Sequence, residues 1–465
     1  MGMTPSDLVY EWNGESPSVS VSVQDETLRD GVQAAGVRDP RGEDKRELLH
    51  HMAAVGIESA DIGLPSAGPR AYEDTLALAR EIASSGLPLT ATCVARTVAA
   101  DIEPIIEIAQ ASGITIEVGA FIGASRLRQV VEGWTIDEMV RATAAAVSLA
   151  LSAGHPVMFV TEDTTRAHPD ALRALYGEAI RCGARRLCVC DTVGHATPAG
   201  VARLIQFVRD EIVIPSGEPV SIDWHGHRDR GLGLANAMAA IEAGANRVHA
   251  TALGMGERAG NVEMELILVN RALLGEARGD LTKLPAYAAA ASRAFGVPVP
   301  ANYPAVGANA FRTGTGVHAA AIRKARAKGD AWLADRVYSG VPASLVGRTQ
   351  EVQVSAFSGL ANVRWWLETH GYDSTDDARA QRILASAKRS STPLSDAELE
   401  GLAAARTWPG EPILLRDFDE LGLTHRADVG VVPADVREIP PVVRGSDHGA
   451  HERRGARDPR AEGGH

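Results

Sequence analysis

The sequence predicts an α/β protein built on a (β/α)8 TIM barrel, followed by a mostly helical C-terminal lid region and a disordered tail. Three observations predict the barrel. Eight short β-rich runs alternate strictly with helical segments over residues 19–275, and alternation of this count and length closes a barrel rather than an open sheet. The repeat of about 30 residues is one βα unit, not a solenoid repeat. Polar residues (Arg29, Asp30, Asp61, Glu162, Asp191, His225, His227 and Glu257) stand at the carboxyl ends of the runs, which a barrel gathers on one rim.

The first strand is expected over residues 19–28, where Val19, Val21 and Val23 alternate. A helix from near Pro40 follows, carrying Leu48, Leu49 and Met52. Strands at 57–64, 88–94, 114–122 and 156–161 alternate with helices at 72–84, 102–111 and 136–153. A helix at 170–182 leads to a sixth strand at 186–190, and a helix at 198–211 leads to the seventh, which begins at Ser221 and runs into His225-Gly226-His227. Residues two apart on a strand share a face, so both imidazoles project together. Leu234, Ala235, Met238, Ala239 and Ile241 recur at helical spacing, and an eighth strand at 247–253 runs into the Gly-rich turn Gly254-Met255-Gly256-Glu257-Arg258-Ala259-Gly260-Asn261.

Beyond about Gly275 the alternation stops. Helices are expected at 286–295, 316–327, 361–370, 376–391 and 395–405, with an extended segment at 346–354. The organisation expected is an N-terminal extension (1–18), the barrel (19–275), helical lid subdomains (276–430) and a Pro-, Arg-, Gly- and His-rich disordered tail (431–465).

A hydrophobic fraction of 45% with 23% charged residues is ordinary for a soluble globular chain. The net charge of −12 argues against nucleic acid or an anionic membrane as partner. No apolar run approaches the roughly 18–20 residues that span a bilayer, and the N-terminus lacks the basic flank and apolar core of a signal peptide. A cytoplasmic protein is expected. The cysteines, Cys93, Cys182, Cys188 and Cys190, form no Cys-x-x-Cys pair and read as buried thiols of a reducing compartment.

His225 and His227 with a carboxylate make a site for Mg²⁺ or Mn²⁺, with Zn²⁺ and Co²⁺ as alternatives. Asp30 is the best-placed carboxylate, because the first strand neighbours the eighth and lies near the seventh. Three protein ligands leave positions open, as a catalytic metal requires. A 2-oxo acid can chelate such a metal through its keto and carboxylate oxygens, and Arg29 adds a cation over the oxygen where charge develops.

Three stretches, Asp25-Glu26-Thr27-Leu28-Arg29-Asp30-Gly31-Val32-Gln33, His225-Gly226-His227-Arg228-Asp229 and Gly256-Glu257-Arg258-Ala259-Gly260-Asn261, together resemble the acyl-CoA-condensing branch of the DRE-TIM metallolyases. That branch holds the 2-isopropylmalate, homocitrate, citramalate and Re-type citrate synthases. The resemblance spans roughly residues 20–370 and implies a divalent metal on Asp30, His225 and His227, with Asn261 as a ligand or close partner. It implies Arg29 as the oxyanion-stabilising group with Gln33 beside it, Glu162 as the active-site glutamate, and Thr192 as the residue that holds the 2-oxo acid's carboxylate. Gly314-Thr315-Gly316-Val317-His318 resembles the family's lid segment, with His318 in the acid/base role, and Tyr338 resembles a second lid residue. A homodimer whose lids reach over the partner's barrel is implied. So is a Claisen-type condensation of acetyl-CoA with a 2-oxo acid, with thioester hydrolysis.

Some positions depart from the family's pattern. Arg228 stands where Asn is usual, Arg126 and Arg128 where the isopropylmalate enzymes tend to have Pro and His, and Gly119 where they have His. These arginines are solvated, or pair with Asp229 and Glu132, or they suit an anionic acid. With Arg128 as a substrate-binding residue, the narrow expectation is a phosphorus-containing 2-oxo acid, as in the phosphonomethylmalate and phosphinomethylmalate synthases of antibiotic biosynthesis. Isopropylmalate, homocitrate or Re-type citrate synthesis is the near alternative. A hydroxyacyl-CoA lyase and a metal-binding scaffold without turnover are readings from other classes. No leucine-effector domain is expected.

Overall fold

The computed structural model describes residues 8–10, 12–13 and 20–405. Eight parallel strands close into a barrel in sequence order: β1 Ser22–Asp25, β2 Ser59–Asp61, β3 Thr90–Arg96, β4 Ile116–Gly123, β5 Val157–Glu162, β6 Arg186–Asp191, β7 Ser221–Gly226 and β8 Arg247–Ala250. The seam is β1 against β8, where Ser22 lies beside Arg247 and Asp25 beside Ala250. Strands sandwiched between a filled interior and a ring of helices are buried on both faces. Val118, Phe159, Val189 and Val248 accordingly have no exposure.

The helices follow their sequence signals. Gly42–Ala54 buries Leu48, Leu49 and Met52, and Ile136–Ser152 starts at a capping box between Thr135 and Glu138. Pro169–Cys182, Pro198–Val208 and Gly233–Glu242 occupy the expected places. No helix among the described residues is long and apolar enough to cross a membrane.

The strand limits differ from expectation at both ends of the seam. Residues 19–28 were expected as one strand, but β1 ends at Asp25 because the Glu26 carbonyl accepts from the N–H groups of Arg29 (3.1 Å), Asp30 (2.8 Å) and Gly31 (3.0 Å). Asp30 therefore sits one turn beyond the strand rather than at its end. Val19 lies outside the described residues. β8 likewise stops at Ala250, followed by a tight turn, Ala252–Gly254, in which Leu253 takes a φ of 55°. The Glu265 carboxylate holds that strained residue by accepting from its N–H at 3.0 Å through each oxygen.

Helices also stand where no range was given for one. Arg126–Glu132 is capped by the Ser125 hydroxyl, yet its large apolar residues Leu127, Val130 and Val131 point outward. Ala331–Arg336 buries no residue at all.

After the barrel the chain is mainly helical. Leu284–Phe295 belongs to the barrel's own core, with Leu284, Tyr287 and Phe295 buried there. The Tyr287 hydroxyl donates to the Asp25 carboxylate at the end of β1. Removing it with Tyr287→Phe is expected to cost about 1–3 kcal/mol, the usual penalty for a buried acceptor left unpaired. Urea unfolding checks this; an unchanged midpoint would show that the bond carries no stability.

A second, small core gathers Ala319, Ile322, Val352 and Trp365. It is built from helices Gly316–Ala327 and Leu360–Thr369 and from a two-stranded parallel pair, β9 Arg312–Thr313 and β10 Glu351–Val352. Helices Asp377–Arg389 and Asp396–Ala404 complete the described chain. The expected tail at 431–465, the end of the lid region from 406, and most of the extension at 1–18 lie outside the described residues.

Candidate active site

The rim at the carboxyl ends of the strands surrounds a cavity of about 300 Å³. β7 delivers His225, and His227 follows one residue beyond it, bridged to Asn261 of the Gly-rich turn. Their Nε2 atoms lie 3.3 Å apart, and each is 3.6 Å from Asp30 Oδ2. The centre of that triangle is about 2.0 Å from every corner, the length of an imidazole or carboxylate bond to a divalent ion. Asn261 Oδ1, buried beside the triangle, has no partner. Asn261 Nδ2 meanwhile donates to Asp30 Oδ2 at 2.9 Å. The donor set and this orphaned oxygen fit a divalent cation.

Charge around the triangle is tightly paired. Arg29 meets Asp61 Oδ2 through Nε at 2.7 Å, Glu26 Oε2 through Nη2 at 2.7 Å, and Asp30 Oδ1 through Nη1 at 3.6 Å. Burial opposes ionisation of Asp30, but Arg29 and His225 outweigh it and hold its carboxyl below the usual range. Burial pushes Asp61 up to about 7 against the pull of Arg29. His225 is drawn to about 9, because Glu26 overcomes the burial that would lower it. Burial and the neighbouring His225 push His227 down to about 4. His225 turns Nδ1 to Glu26, which leaves its Nε2 facing Asp30 and His227.

Two site residues escaped the sequence reading. Glu26 accepts from His225 Nδ1 at 2.9 Å and from His249 Nδ1 at 2.8 Å, so it orients the ligand imidazole as well as Arg29. His249 is inward-facing on β8, and its Nε2 reaches Asp223 at 3.1 Å. Alternation along β8, which turns Arg247 and His249 to one face, would have found it.

The other expected residues divide between those at the cavity and those elsewhere. Gln33, Glu162 and Thr192 line it together with Arg29, Asp30, His225 and His227. Thr192 Oγ1 accepts from the Asp163 N–H at 2.8 Å, which leaves its hydroxyl proton free to donate. Burial raises the Glu162 carboxyl above its ordinary range, partly offset by Arg128. Arg128 does not line this cavity. It stands behind Glu162 at 3.4 Å, is held by Glu132 at 3.1 Å, and faces a neighbouring cavity lined by Phe121, Ile122 and Trp134. His318 and Tyr338 do not line the cavity either. They stack on each other, ring centres 3.9 Å apart.

The remaining arginines are engaged in holding loops. Arg228 donates to the Ala259 carbonyl at 2.7 Å and pairs with Glu263, bracing the Gly-rich turn. Asp229 pairs with Arg258 instead of Arg228. Arg126 reaches Gln129, and Arg230 the His195 carbonyl. Opposite the triangle the wall is apolar, formed by Leu64, Val94, Phe121, Met158 and Val160. Gly119 lets that wall close up, since a Cβ there would stand 3.1 Å from Val94 and 3.2 Å from Met158.

Comparison with known proteins agrees with this geometry. Residues 20–289 match the HMGL-like family. The chain is 31% identical over 372 residues to a protein of Ignicoccus hospitalis named probable 2-isopropylmalate synthase, covering 79% of this chain and 87% of that one. It is 32% identical over 362 residues to a homocitrate synthase of Methanopyrus kandleri, covering 77% and 84% respectively. Among solved structures, the HMG-CoA lyase of Bacillus subtilis superposes with a TM-score of 0.52 at 21% identity, over 61% of this chain and 96% of that one. A likeness at that identity establishes the barrel alone.

Proposed function

The chain belongs to the HMGL-like family, and from that premise we propose that it condenses acetyl-CoA with a 2-oxo acid, hydrolyses the thioester and releases a 2-substituted malate and CoA. The observation that carries the reading is the triangle of Asp30, His225 and His227 beside Arg29, opening onto a cavity of small-molecule size. It is supported by relatives named for two reactions of this type. A divalent cation held by Asp30, His225 and His227, with Asn261 at its side, would polarise the keto oxygen of the 2-oxo acid. Mg²⁺ and Mn²⁺ suit the mixed nitrogen and oxygen donors, and Zn²⁺ or Co²⁺ would also fit.

This chain's residues do the rest. The free hydroxyl proton of Thr192 and the amide of Gln33 bind the acid's carboxylate. Arg29, fixed between Glu26 and Asp61, keeps its charge next to the oxygen that becomes an alkoxide. Glu162 is the acid/base group within the chain's own cavity, and His318 with Tyr338 comes from a second copy. A base takes a proton from the acetyl methyl, and the carbanion adds to the keto carbon. Water then cleaves the thioester. Substituting Glu162 and His318 separately, and following solvent deuterium into acetyl-CoA, tells which takes the methyl proton.

The apolar wall favours a compact, uncharged substituent on the 2-oxo acid over a phosphorus-containing one. Arg29 is already neutralised by carboxylates, and Arg128 stands behind Glu162. An anionic acid remains the second reading, because Arg128 stands against Glu162 at the cavity wall. Thiol release from acetyl-CoA with Mn²⁺ and 2-oxoisovalerate, 2-oxoglutarate, pyruvate, oxaloacetate or phosphonopyruvate separates them. Turnover of 2-oxoisovalerate or pyruvate is expected; turnover of phosphonopyruvate alone would reverse the choice. Silence with every acid, with metal bound, would sink the condensation.

Arg128→Met tests the Glu162 assignment through pH. Arg128 lowers the Glu162 pKa while burial, Asp163, Glu132 and Glu257 raise it. Without the cation Glu162 takes up its proton at a higher pH, so the acidic limb of kcat/KM moves upward if the ionised carboxylate is required. An acidic limb that stays put would remove Glu162 from the proton transfer.

A further inference from the structure

Cys188 and Cys190 lie two apart on β6, so both thiols face the barrel interior. Both are buried, and both line the active-site cavity. Their sulfurs are 3.7 Å apart, and Cys188 Sγ is 4.0 Å from His249 Nδ1. Two thiolates bound tetrahedrally to one cation at about 2.3 Å stand roughly 3.8 Å apart, the spacing found here. Burial pushes the Cys188 thiol up, so a cation that binds there has to displace its proton.

We propose that Cys188 and Cys190 form a second cation site in this cavity, selective for thiophilic ions such as Cd²⁺ and Zn²⁺, while His249 stays engaged with Glu26 and Asp223. The cavity then holds two sites of opposite chemistry. Nitrogen and oxygen donors on one side take a hard or borderline ion, and sulfur donors on the other take a soft one. Binding exchanges one divalent cation for two thiol protons, which pass to solvent, and no sulfur is oxidised. An ion at the thiols also reduces the space beside the triangle, so thiophilic metals should compete with the 2-oxo acid. That consequence rests on the condensation reading; the site itself does not.

The test is a titration of the whole chain with Cd²⁺, following the ultraviolet thiolate-to-cadmium charge-transfer band and proton release into a weak buffer. One equivalent should develop the band and release about two protons per ion. Asp30→Asn should keep the band, since carboxylate and imidazole ligands do not produce it, and so should Cys182→Ser, whose thiol lies at the end of helix Pro169–Cys182 and not on β6. Cys188→Ser and Cys190→Val should each lose the two-sulfur band and weaken Cd²⁺ binding at least about tenfold. Valine suits a buried strand position, so Cys190→Val decides the matter if the serine variant does not fold. No band in the parent protein, or a band that survives Cys190→Val, overturns the proposal.

Discussion

Asp30→Asn is expected to abolish retention of the catalytic cation and lower kcat/KM for thiol release by at least about 10³-fold, since residues that only support a metal ligand already cost about 10–100-fold. Asparagine keeps the size of the side chain and removes its charge. The two imidazoles alone then hold the cation, one of them drawn towards protonation by Glu26. The barrel should survive. Arg29 keeps its 2.7 Å bonds to Glu26 and Asp61 and loses only its 3.6 Å contact with Asp30, so its charge remains compensated. The informative measurement is bound Mn²⁺ after gel filtration, taken with the melting temperature and the rate. Lost metal and lost rate at an unchanged melting temperature support the ligand role. Retained metal would move the site to Glu26, His225 and His249, the other cluster whose donor atoms converge.

The barrel was legible because its signal is periodic. Strand and helix periods alternate along the chain, and parallel strands buried on both faces read as apolar runs. The His225–His227 pair was legible for the same reason, as period two fixes their common face. What escaped had no such signal. Helix Arg126–Glu132 turns Leu127, Val130 and Val131 to solvent, so its apolar spacing does not mark a buried face. β1 stops where one carbonyl, that of Glu26, accepts three N–H groups, an event that alternation cannot foresee. Arg128 and Arg228 illustrate a different limit. Sequence reveals an added cation but not the carboxylate that already holds it. Glu162 and Glu132 occupy the first, and Glu263 the second.

Mixing two inactive variants, Asp30→Asn and His318→Ala, is expected to restore activity. The argument begins with exposure. His318 stacks on Tyr338 outside the cavity, while Val317 is 74%, Phe357 82% and Tyr338 44% exposed. Large apolar side chains exposed around a stacked pair of acid/base-capable rings form a surface that another protein surface would cover. If that surface belongs over the barrel of a second copy, each site takes its metal ligands from one chain and His318 from the other. In a hybrid dimer one site then carries both lesions and its companion carries neither. Random pairing makes half of the dimers hybrid, so about a quarter of wild-type activity should return under two-fold symmetry. His318→Ala alone should lose about 10²–10⁴-fold, the usual cost of a missing general acid or base. Co-expressing the two chains with different tags and assaying the doubly purified species isolates the hybrid, which should work at about half the wild-type rate. A hybrid as inactive as its parents would place His318 over its own barrel, and the lid would then have to fold back within one chain.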